Sequence, residues 1–500
     1  MKSKKTNRQG SRGLFSVNKL TISILFIAII FGFSIFKFTH HTNNKPNVLF
    51  IIVDDLRPEL GCYGKTHVKT PNIDKLASKG LLFTHAYSQA SSCFPARQAL
   101  ILGRRPEPQY FTRFYKEYCP KCISLPLHLK KNGYHTVSIG KVFHIQDENF
   151  WSEKELIPQS TYAPEYHTEK NLSYQTMLSE ALDYSVTNDL WWTRKNRWFP
   201  ASLWEAPELD DLSFFDGRTV AKAIEYLSKF KEQKTPFFLA IGFYKPHLPF
   251  VAPKKYFDLY PLSDISLTGL TKFPKNSPRY TVDARFEWQN YEKITTEDLL
   301  ANPMKQKEFL RGYYACVSFI DAQVGKLIDS LEKLGLSENT IVIFIGDQGY
   351  HLSENEIFGK HTNFEAALKV PAIISYPDKI QAGQRTNSII ELIDIYPTLC
   401  EFLKLPIPRN VQGQSFKNIL QDPLYEGKDF AVGVYPRGNF AGKTIRVPGF
   451  RYTRWENIHN GKTIEELYEY GKEEIEIENV ALDPKYKNIK EKLSSKLKSN

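Results

Sequence analysis

The chain has few cysteines and no excess of proline or glycine. Six cysteines in 500 residues do not make a disulfide scaffold. With 29 prolines and 27 glycines, close to ordinary usage, the chain is neither collagen-like nor of low complexity. Because 42% of its residues are hydrophobic and 14% are aromatic, it can bury a sizeable core, which excludes disorder throughout. The length predicts two packed units or one large α/β domain with an appendage.

Acidic residues are absent from the first 19 positions, and this absence accounts for much of the net charge of +11. The basic residues of this segment are Lys2, Lys4, Lys5, Arg8, Arg12 and Lys19. Subtracting these six charges from 11 leaves about +5 for the rest of the chain. Strong binding to nucleic acid is therefore not implied, and no nucleic-acid partner is expected.

Residues 20–38 form an apolar stretch that is longer than the core of a usual signal peptide and lacks small residues before a cleavage site. We predict a transmembrane anchor here, with residues 1–19 as a basic cytosolic tail and the bulk of the chain outside the cytosol. Two alternatives stay open, a long signal segment whose cleavage yields a secreted or lysosomal protein, and a buried helix.

Apolar runs alternate with helical periods from residue 45 onward, which is the pattern of a doubly wound, mostly parallel sheet. The predicted strands are residues 48–53, 137–140, 237–243, 341–345 and 370–375. The predicted helices are residues 125–132, 219–231 and 309–334. We therefore predict an α/β catalytic domain over residues 46–420, with helices flanking a large sheet. The texture changes after residue 420, so residues 430–500 are predicted to form a small C-terminal α+β subdomain.

Acidic and amide side chains follow two of these predicted strands. Asp54 and Asp55 come after the first, and Asp347 and Gln348 follow the strand at 341–345. Ligands of open α/β sheets bind beyond the carboxyl ends of the strands, and oxygen ligands suit Ca²⁺ or Mg²⁺ rather than zinc. The alternative is that each acid caps a turn or helix.

Cys93 stands before Pro95 and Arg97, and Gly103-Arg104-Arg105 follows. A proline of this kind can open a helix, and a guanidinium binds anions bidentately. The pattern indicates a nucleophile at a helix N-terminus that faces an oxyanion. The alternative is a buried small side chain without chemistry.

These motifs resemble the signature of the type I, formylglycine-dependent sulfatases, which have an alkaline-phosphatase-like fold. The more detailed resemblance, over residues 46–483, is to the iduronate-2-sulfatase branch. Its matching stretches are Asp54-Asp55-Leu56-Arg57-Pro58, Gly61-Cys62-Tyr63-Gly64, Pro71-Asn72-Ile73-Asp74, Gly140-Lys141-Val142-Phe143-His144, Lys245-Pro246-His247-Leu248-Pro249-Phe250, Gly359-Lys360-His361-Thr362-Asn363-Phe364-Glu365 and Arg451-Tyr452-Thr453-Arg454-Trp455.

The resemblance implies hydrolysis of sulfate esters, with the 2-O-sulfate of iduronate or a related uronate in sulfated glycosaminoglycans as the expected target. It implies one Ca²⁺, and a formylglycine made from Cys93 by the formylglycine-generating enzyme. The implied metal ligands are Asp54, Asp55, Cys93, Asp347 and Gln348. The implied catalytic residues are Cys93, Arg97, Lys141, His144, His247 and Lys360.

Two other functions stay open at this point. A phosphatase or phosphodiesterase of the same superfamily would need a serine or threonine nucleophile and zinc ligands. A catalytically silent surface protein that binds sulfated glycans would keep the basic pocket with Cys93 unmodified. Cys119 and Cys122 are expected to form a local disulfide or to stay as two free thiols.

Overall fold

Most buried strands of the chain belong to one sheet in this computed structural model. The structure describes residues 45–144, 147–154, 156, 165–173, 201–267, 271–279, 282, 287–291, 294–472 and 474–499. Its strands are β1 (Asn47–Val53), β2 (Leu81–Tyr87), β3 (His135–Gly140), β4 (Trp204–Glu205), β5 (Phe237–Phe243), β6 (Phe250–Val251), β7 (Thr340–Gly346), β8 (His351–Leu352), β9 (Phe358–Gly359), β10 (Lys369–Ser375), β11 (Gln384–Glu391), β12 (Ala431–Val434), β13 (Phe440–Val447), β14 (Phe450–Asn457) and β15 (Thr463–Glu469).

The α-helices of the described residues cover both faces of this sheet and part of the C-terminal region. They are α1 (Pro71–Ser78), α2 (Cys93–Leu102), α3 (Tyr115–Tyr118), α4 (Leu125–Lys131), α5 (Phe215–Gln233), α6 (Lys254–Phe257), α7 (Thr296–Ala301), α8 (Pro303–Lys333), α9 (Glu365–Leu368), α10 (Ile395–Phe402), α11 (Lys417–Gln421) and α12 (Lys487–Lys498).

The central sheet has the strand order β11-β2-β10-β7-β1-β5-β3. The pairs β1 with β5, β1 with β7, β3 with β5 and β11 with β2 are parallel, and β10 is antiparallel to both of its neighbours. Every residue of β1, β5 and β7 is buried, which is why these strands are continuous apolar runs in the sequence. The prediction of a large, mostly parallel α/β sheet flanked by helices is confirmed.

Alternate residues of β1 enter two different cores, as the two-residue period of a strand requires. Leu49 and Ile51 pack with the helices α5 and α8, whereas Phe50 packs with α2, α4 and α10 on the other face. Helix α8 begins at Pro303, earlier than the predicted 309, because the side chain of Asn302 accepts hydrogen bonds from the backbone N–H groups of Met304 and Lys305.

The prediction of a membrane anchor is corrected. Across the parts of residues 45–500 that the structure describes, no helix combines the length and the apolar character needed to cross a bilayer. The long helices α5 and α8 are amphipathic and carry charges such as Lys222, Glu225, Lys326 and Asp329 along the side away from the sheet core. The prediction of a single-pass protein, partnered with the membrane through residues 20–38, is therefore wrong by this finding. Residues 1–19 and 20–38 themselves lie outside the described residues.

The C-terminal region forms a second, antiparallel sheet with the order β12-β13-β14-β15. Helix α12 covers one face, where Leu493 and Leu497 pack against Ile445 and Leu467. This sheet and helix are the small C-terminal subdomain that the sequence predicts. Strand-like patterns in this part of the sequence are confined to residues 444–447, 452–455 and 467–470. Strand β12 was not predicted. The N–H of Val434, its last residue, donates a hydrogen bond to the carbonyl of Gln89, which follows β2 in the large domain.

Candidate active site

The residues predicted for the site come together at the carboxyl edge of the central sheet. Asp54 and Asp55 follow β1, Asp347 and Gln348 follow β7, and Lys141 follows β3. In the sheet, β7 lies beside β1, and β5 lies between β1 and β3, so the carboxyl ends of these strands meet at one edge. The side chains of this group are between 0% and 2% exposed. The structure thus brings these predicted side chains together at one edge of the sheet.

The three aspartates face one another closely. One carboxylate oxygen from each of Asp54, Asp55 and Asp347 lies within 4.8 Å of the others. The Gln348 amide donates to Asp55 Oδ1 at 2.5 Å and to Asp54 Oδ1 at 3.3 Å. Backbone N–H groups of Asp55 and Gln348 donate to Asp347 Oδ1 at 3.1 Å and 2.8 Å. Asp55 has a φ of +57°, and the hydroxyl of Tyr313 donates to its carbonyl. The backbone is thus held in an unusual conformation that turns this carboxylate inward.

Each aspartate also contacts at least one basic side chain. Lys141 contacts Asp54, and the Lys360 ammonium lies 2.7 Å and 3.0 Å from the oxygens of Asp55. Arg97 Nε donates to Asp347 Oδ2 at 2.7 Å. Burial opposes ionisation of Asp54, but the positive charges of Lys141 and Arg97 hold its pKa well below the usual value. Burial nevertheless raises the pKa of Asp55 to about 6 and that of Asp347 to about 8.

The donor set fits a hard divalent cation. Three carboxylates and an amide oxygen are the ligands that Ca²⁺ and Mg²⁺ take in proteins. The Oε1 atom of Gln348 is buried and has no hydrogen-bond partner among the residues described. A buried oxygen without a donor is costly unless something else binds it. A cation between the carboxylates would bind this oxygen once the Gln348 amide turned it toward them, in place of the NH₂ group that now donates to Asp54 and Asp55, and would offset the repulsion among the three aspartates.

Cys93 is the first residue of α2, and its sulfur lies close to the acidic cluster. Cys93 Sγ, a carboxylate oxygen of Asp54 and a ring nitrogen of His247 all lie within 4.8 Å of one another. Burial raises the pKa of the Cys93 thiol to about 11, although Lys360 and Lys141 oppose this shift. At neutral pH the thiol is therefore protonated and is a weak nucleophile in its unmodified form.

Arg97 lies one helical turn after Cys93 and is fixed by several partners. Besides Asp347, its guanidinium donates to the carbonyl of Lys141 and, at 3.1 Å, to that of Val142. It is 1% exposed. In this structure Arg97 thus links the helix of Cys93 to the strand ends that carry Asp347 and Lys141.

The two predicted histidines flank the same pocket. The Nδ1 atom of His247 donates to the Leu248 carbonyl at 2.8 Å, and the ring of His144 packs edge-on to Phe94 at 6.1 Å. Burial and nearby Lys141 lower the pKa of both histidines well below the usual value. Both imidazoles are consequently neutral in the unliganded site at neutral pH.

Sequence reasoning missed three residues of this pocket. Tyr244 comes directly after β5, and Lys141 Nζ lies 4.3 Å from the centre of its ring. Asp216 accepts the backbone N–H groups of Tyr244 and Lys245 at 2.8 Å and 3.0 Å. The position of Tyr244 after a buried strand was a usable signal. Glu287 lies on a 3₁₀ turn, and its carboxylate oxygens are 3.5 Å from His247 Nε2 and 3.6 Å from Lys360 Nζ. Nothing in the surrounding sequence indicated this position.

Two other features lie outside this pocket. Cys119 and Cys122 form a disulfide, one of the two outcomes expected for them. A separate cavity of about 690 Å³ is lined by Arg57, Tyr314, Glu354 and Asn355, among others, and by none of the predicted site residues. Its size does not identify it as the chemical site, because the clustered aspartates, the lysines and Cys93 all lie elsewhere.

Comparisons with known proteins agree with this geometry. A family model described as Sulfatase matches residues 46–405, and one described as N-sulphoglucosamine sulphohydrolase, C-terminal, matches residues 353–500. Iduronate 2-sulfatase of Mus musculus is 30% identical over 477 residues, which cover 82% of this chain and 84% of that protein. Iduronate 2-sulfatase of Homo sapiens is 30% identical over 482 residues, covering 83% and 86%.

The fold also matches a solved structure. Phosphonate monoester hydrolase of Agrobacterium radiobacter aligns with a TM-score of 0.69 and 22% identity, covering 91% of this chain and 95% of that one. At this identity the likeness concerns the fold alone. The predicted architecture, a large alkaline-phosphatase-like domain with a small C-terminal subdomain, is confirmed.

Proposed function

This chain belongs to the sulfatase family, and from that premise we propose that it hydrolyses the 2-O-sulfate of iduronate or a related uronate in sulfated glycosaminoglycans. Its membership makes it a sulfuric ester hydrolase. The proposal adds the substrate, one Ca²⁺ held by Asp54, Asp55, Asp347 and Gln348 together with position 93, and a formylglycine made from Cys93 by the formylglycine-generating enzyme. The 30% identity to proteins named iduronate 2-sulfatase supports this choice of substrate.

One observation carries the proposal. Cys93 opens a helix in the same buried pocket as three clustered aspartates, and both Lys141 and Lys360 act electrostatically on its sulfur. A calcium ion would offset the aspartate charges and polarise the ester, and a formylglycine hydrate would supply the attacking oxygen and a second hydroxyl that lets sulfate leave. A pocket that only packed a buried cysteine would have no reason to gather these charges around it.

The basic residues of the chain hold the charged part of the substrate. Lys141 and Lys360 are 2% and 3% exposed, so their ammonium groups act in a medium of low polarity where they bind sulfate oxygens strongly. Arg97, locked between Asp347 and the Lys141 carbonyl, keeps position 93 and Lys141 in a fixed relation. The residues therefore orient the sulfur atom toward position 93 without having to move.

The histidines move protons at two different oxygens. Since Nδ1–H of His247 donates to the Leu248 carbonyl, Nε2 is the atom that faces the reacting group, and after it takes up a proton when the anionic substrate binds, it gives that proton to the departing sugar oxygen. His144, beside Phe94, takes the proton from the hydroxyl at position 93 when sulfate is expelled. Both steps need an imidazole close to the reacting group, and burial keeps bulk water from replacing them.

The first test is the mass of the tryptic peptide that spans residues 80–97, since an aldehyde and a thiol at position 93 differ in mass. We expect the aldehyde form in protein made together with the maturing enzyme. The second test measures sulfate release by ion chromatography from an iduronate 2-sulfate disaccharide and from its glucosamine 6-sulfate isomer.

Faster release from the iduronate 2-sulfate supports the proposal, and faster release from the 6-sulfate contradicts the substrate assignment. An unmodified thiol without release from either isomer would favour the silent glycan-binding alternative. Zinc-dependent hydrolysis of a phosphate ester, with no sulfate release, would favour the phosphatase alternative.

A further inference from the structure

A carboxylate that the proposed reaction does not use lies beside two residues of the active site. Glu287 Oε1 lies 3.5 Å from His247 Nε2, and Glu287 Oε2 lies 3.6 Å from Lys360 Nζ. The side chain of Glu287 is 34% exposed, whereas His247 and Lys360 are buried. The carboxylate therefore lies at the mouth of the pocket, where a substrate can reach it.

Trp288 fixes the position of this carboxylate. Its side chain is fully buried, and its indole N–H donates to the Phe358 carbonyl at 2.8 Å. Its ring packs against those of Phe309 and Phe358, with 6.2 Å between the ring centres in both pairs. Phe358 belongs to β9, and Lys360 directly follows that strand. The same buried anchor thus holds Glu287 and Lys360 in a defined relation.

The contact with His247 locates Glu287 relative to the substrate. In the proposed reaction His247 Nε2 faces the departing sugar oxygen, so a carboxylate 3.5 Å from this nitrogen lies beside the carbon that carries the sulfate. In a 2-sulfated uronoside, the two neighbouring carbons carry the glycosidic oxygen and the 3-hydroxyl. A carboxylate accepts hydrogen bonds, and of these two groups only the hydroxyl donates one. The 3-hydroxyl is therefore the neighbouring group that fits Glu287.

The charge of Glu287 also determines what the site rejects. Lys141 and Lys360 provide the positive charge for one sulfate deep in the pocket. A second anionic group on the next carbon would lie against the Glu287 carboxylate, where the buried surroundings screen the repulsion less than water does. A hydroxyl on the same carbon instead makes a charge-assisted hydrogen bond. One residue thus attracts one substrate and repels another.

We propose that Glu287 is a specificity-determining residue, which binds the free hydroxyl next to the sulfate ester and excludes substrates that carry a second sulfate there. This inference rests on the proposed function and deepens it, because it states which sulfated uronates the site accepts. A Glu287 that only held His247 and Lys360 in place by its charge would affect every substrate alike.

The test uses three esters that differ only at carbon 3, namely 4-methylumbelliferyl α-iduronide 2-sulfate, its 3-deoxy analogue and the 2,3-disulfate. Liquid chromatography of the sugar products measures loss of the 2-sulfate alone and gives kcat and KM for each ester. In the wild type we expect kcat/KM to be about tenfold or more lower for the 3-deoxy ester and for the disulfate than for the parent.

Two variants separate the hydrogen bond from the charge. Glu287→Ala removes both, so it should cleave the parent and the 3-deoxy ester with similar kcat/KM and should accept the disulfate better relative to the parent. Glu287→Gln keeps a hydrogen-bond acceptor and loses the charge. It should retain part of the preference for the hydroxyl while losing most of the discrimination against the disulfate.

The matched controls are Glu297→Ala and Glu297→Gln, at an exposed glutamate in the first turn of α7. Both should keep the wild-type ratios among the three esters. Equal losses on the parent and the 3-deoxy ester in Glu287→Ala would overturn the inference, because Glu287 would then only position His247 and Lys360. A wild type that cleaves the 3-deoxy ester as well as the parent would also overturn it. Cleavage of none of the esters would refute the proposed function, and this inference with it.

Discussion

Two groups of charged side chains, buried or half-buried, differ in how their charges are arranged. The metal cluster consists of Asp54, Asp55 and Asp347 with Arg97, Lys141 and Lys360. The joining cluster links the C-terminal sheet to the large domain and consists of Glu365, Glu474 and Glu476 with Arg446, Arg451 and Lys369. Each has three acids and three bases, so net charge does not distinguish them.

In the joining cluster, acids and bases alternate. Glu365 Oε2 accepts from Arg446 at 3.1 Å and from Arg451 at 2.5 Å, while Tyr87 donates to its other oxygen at 2.7 Å. Burial opposes ionisation, but Arg446 and Arg451 lower the pKa of Glu365 to about 2. Every oxygen of this carboxylate has a donor, so the cluster stabilises the ionised acid without any ligand.

In the metal cluster the acids instead face one another, and burial raises the pKa of Asp347 to about 8. Carboxylates in this arrangement destabilise the fold unless a cation lies between them. The arrangement of the charges, more than their number, therefore separates a structural ion-pair network from a site that awaits ligands.

The largest expected effect concerns position 93. Cys93→Ala should lower the rate of sulfate release by about 10⁴-fold or more, since removal of a nucleophile has costs of that order. Its unfolding midpoint in urea should stay close to that of the wild type, because Cys93 packs at the pocket edge. Cys400→Ala, in the buried core behind the sheet, is the control and should retain activity. Equal activity of Cys93→Ala and wild type would exclude the proposed nucleophile.

The joining cluster should respond in the opposite way. Glu365→Ala leaves Arg446 and Arg451 buried beside an empty position, so we expect a loss of about 3–5 kcal/mol in the free energy of unfolding. Urea unfolding followed by far-UV circular dichroism measures this loss. Glu456→Ala removes the exposed partner of Arg454 and should cost less than about 1 kcal/mol. Comparable losses in the two variants would show that the joining cluster contributes no special stability.

Local patterns in the sequence were sufficient for the part of the site built on strand ends and on one helical turn. Asp54, Asp55 and Asp347 could be placed together because the ends of parallel strands share an edge, and Arg97 because it follows Cys93 by one turn. Lys141, His144, His247 and Lys360 were identified only by resemblance to a family. Lys141 directly follows a predicted strand, but His144, His247 and Lys360 lie on loops that reach the pocket through tertiary contacts, which no short-range periodicity encodes.

The fold shows the same limit. Continuous apolar runs predicted β1, β5 and β7, whereas β2 and β11 carry polar residues such as Thr84, Arg385 and Asn387 and gave no clear pattern. Glu287 lies on a turn whose position depends on the packing of distant segments. Its approach to Lys360 is a property of the assembled structure, so the sequence alone could not indicate it.

A bound cation should offset the repulsion among the three aspartates, so that their cluster stabilises the fold as the joining cluster does. If Ca²⁺ binds the folded state alone, a concentration 100 times its Kd adds about 2.7 kcal/mol to the free energy of unfolding. We expect CaCl₂ to raise the thermal midpoint of the wild type and a chelator to lower it. Asp347→Asn should abolish this response while costing little in chelator, because it relieves repulsion among the acids. A calcium response that is preserved in Asp347→Asn would contradict the assigned site.

The smallest expected effect concerns Glu476. In contrast to Glu365, whose pKa is lowered, this acid of the joining cluster has a raised pKa. It accepts the Tyr470 hydroxyl at 2.5 Å and the Glu365 backbone N–H at 2.7 Å, yet burial raises its pKa to about 7. Because the folded pKa exceeds the unfolded value of about 4.5, the stabilising contribution is complete below pH 4.5 and is lost as the pH rises toward 7. Between pH 5 and pH 7 this loss amounts to about 2 kcal/mol. Glu476→Gln, which keeps the shape and cannot ionise, should flatten the dependence of the urea midpoint on pH in this window.

Glu365 has a lowered pKa, so its stabilising contribution should be lost only as the pH falls below about 4.5. The two acids therefore affect stability in separate pH ranges. If the urea midpoint depends on pH between 5 and 7 in the same way in the wild type and in Glu476→Gln, Glu476 is ionised in the folded protein, as Glu365 is. Basic partners would then keep both of these buried glutamates of the joining cluster ionised.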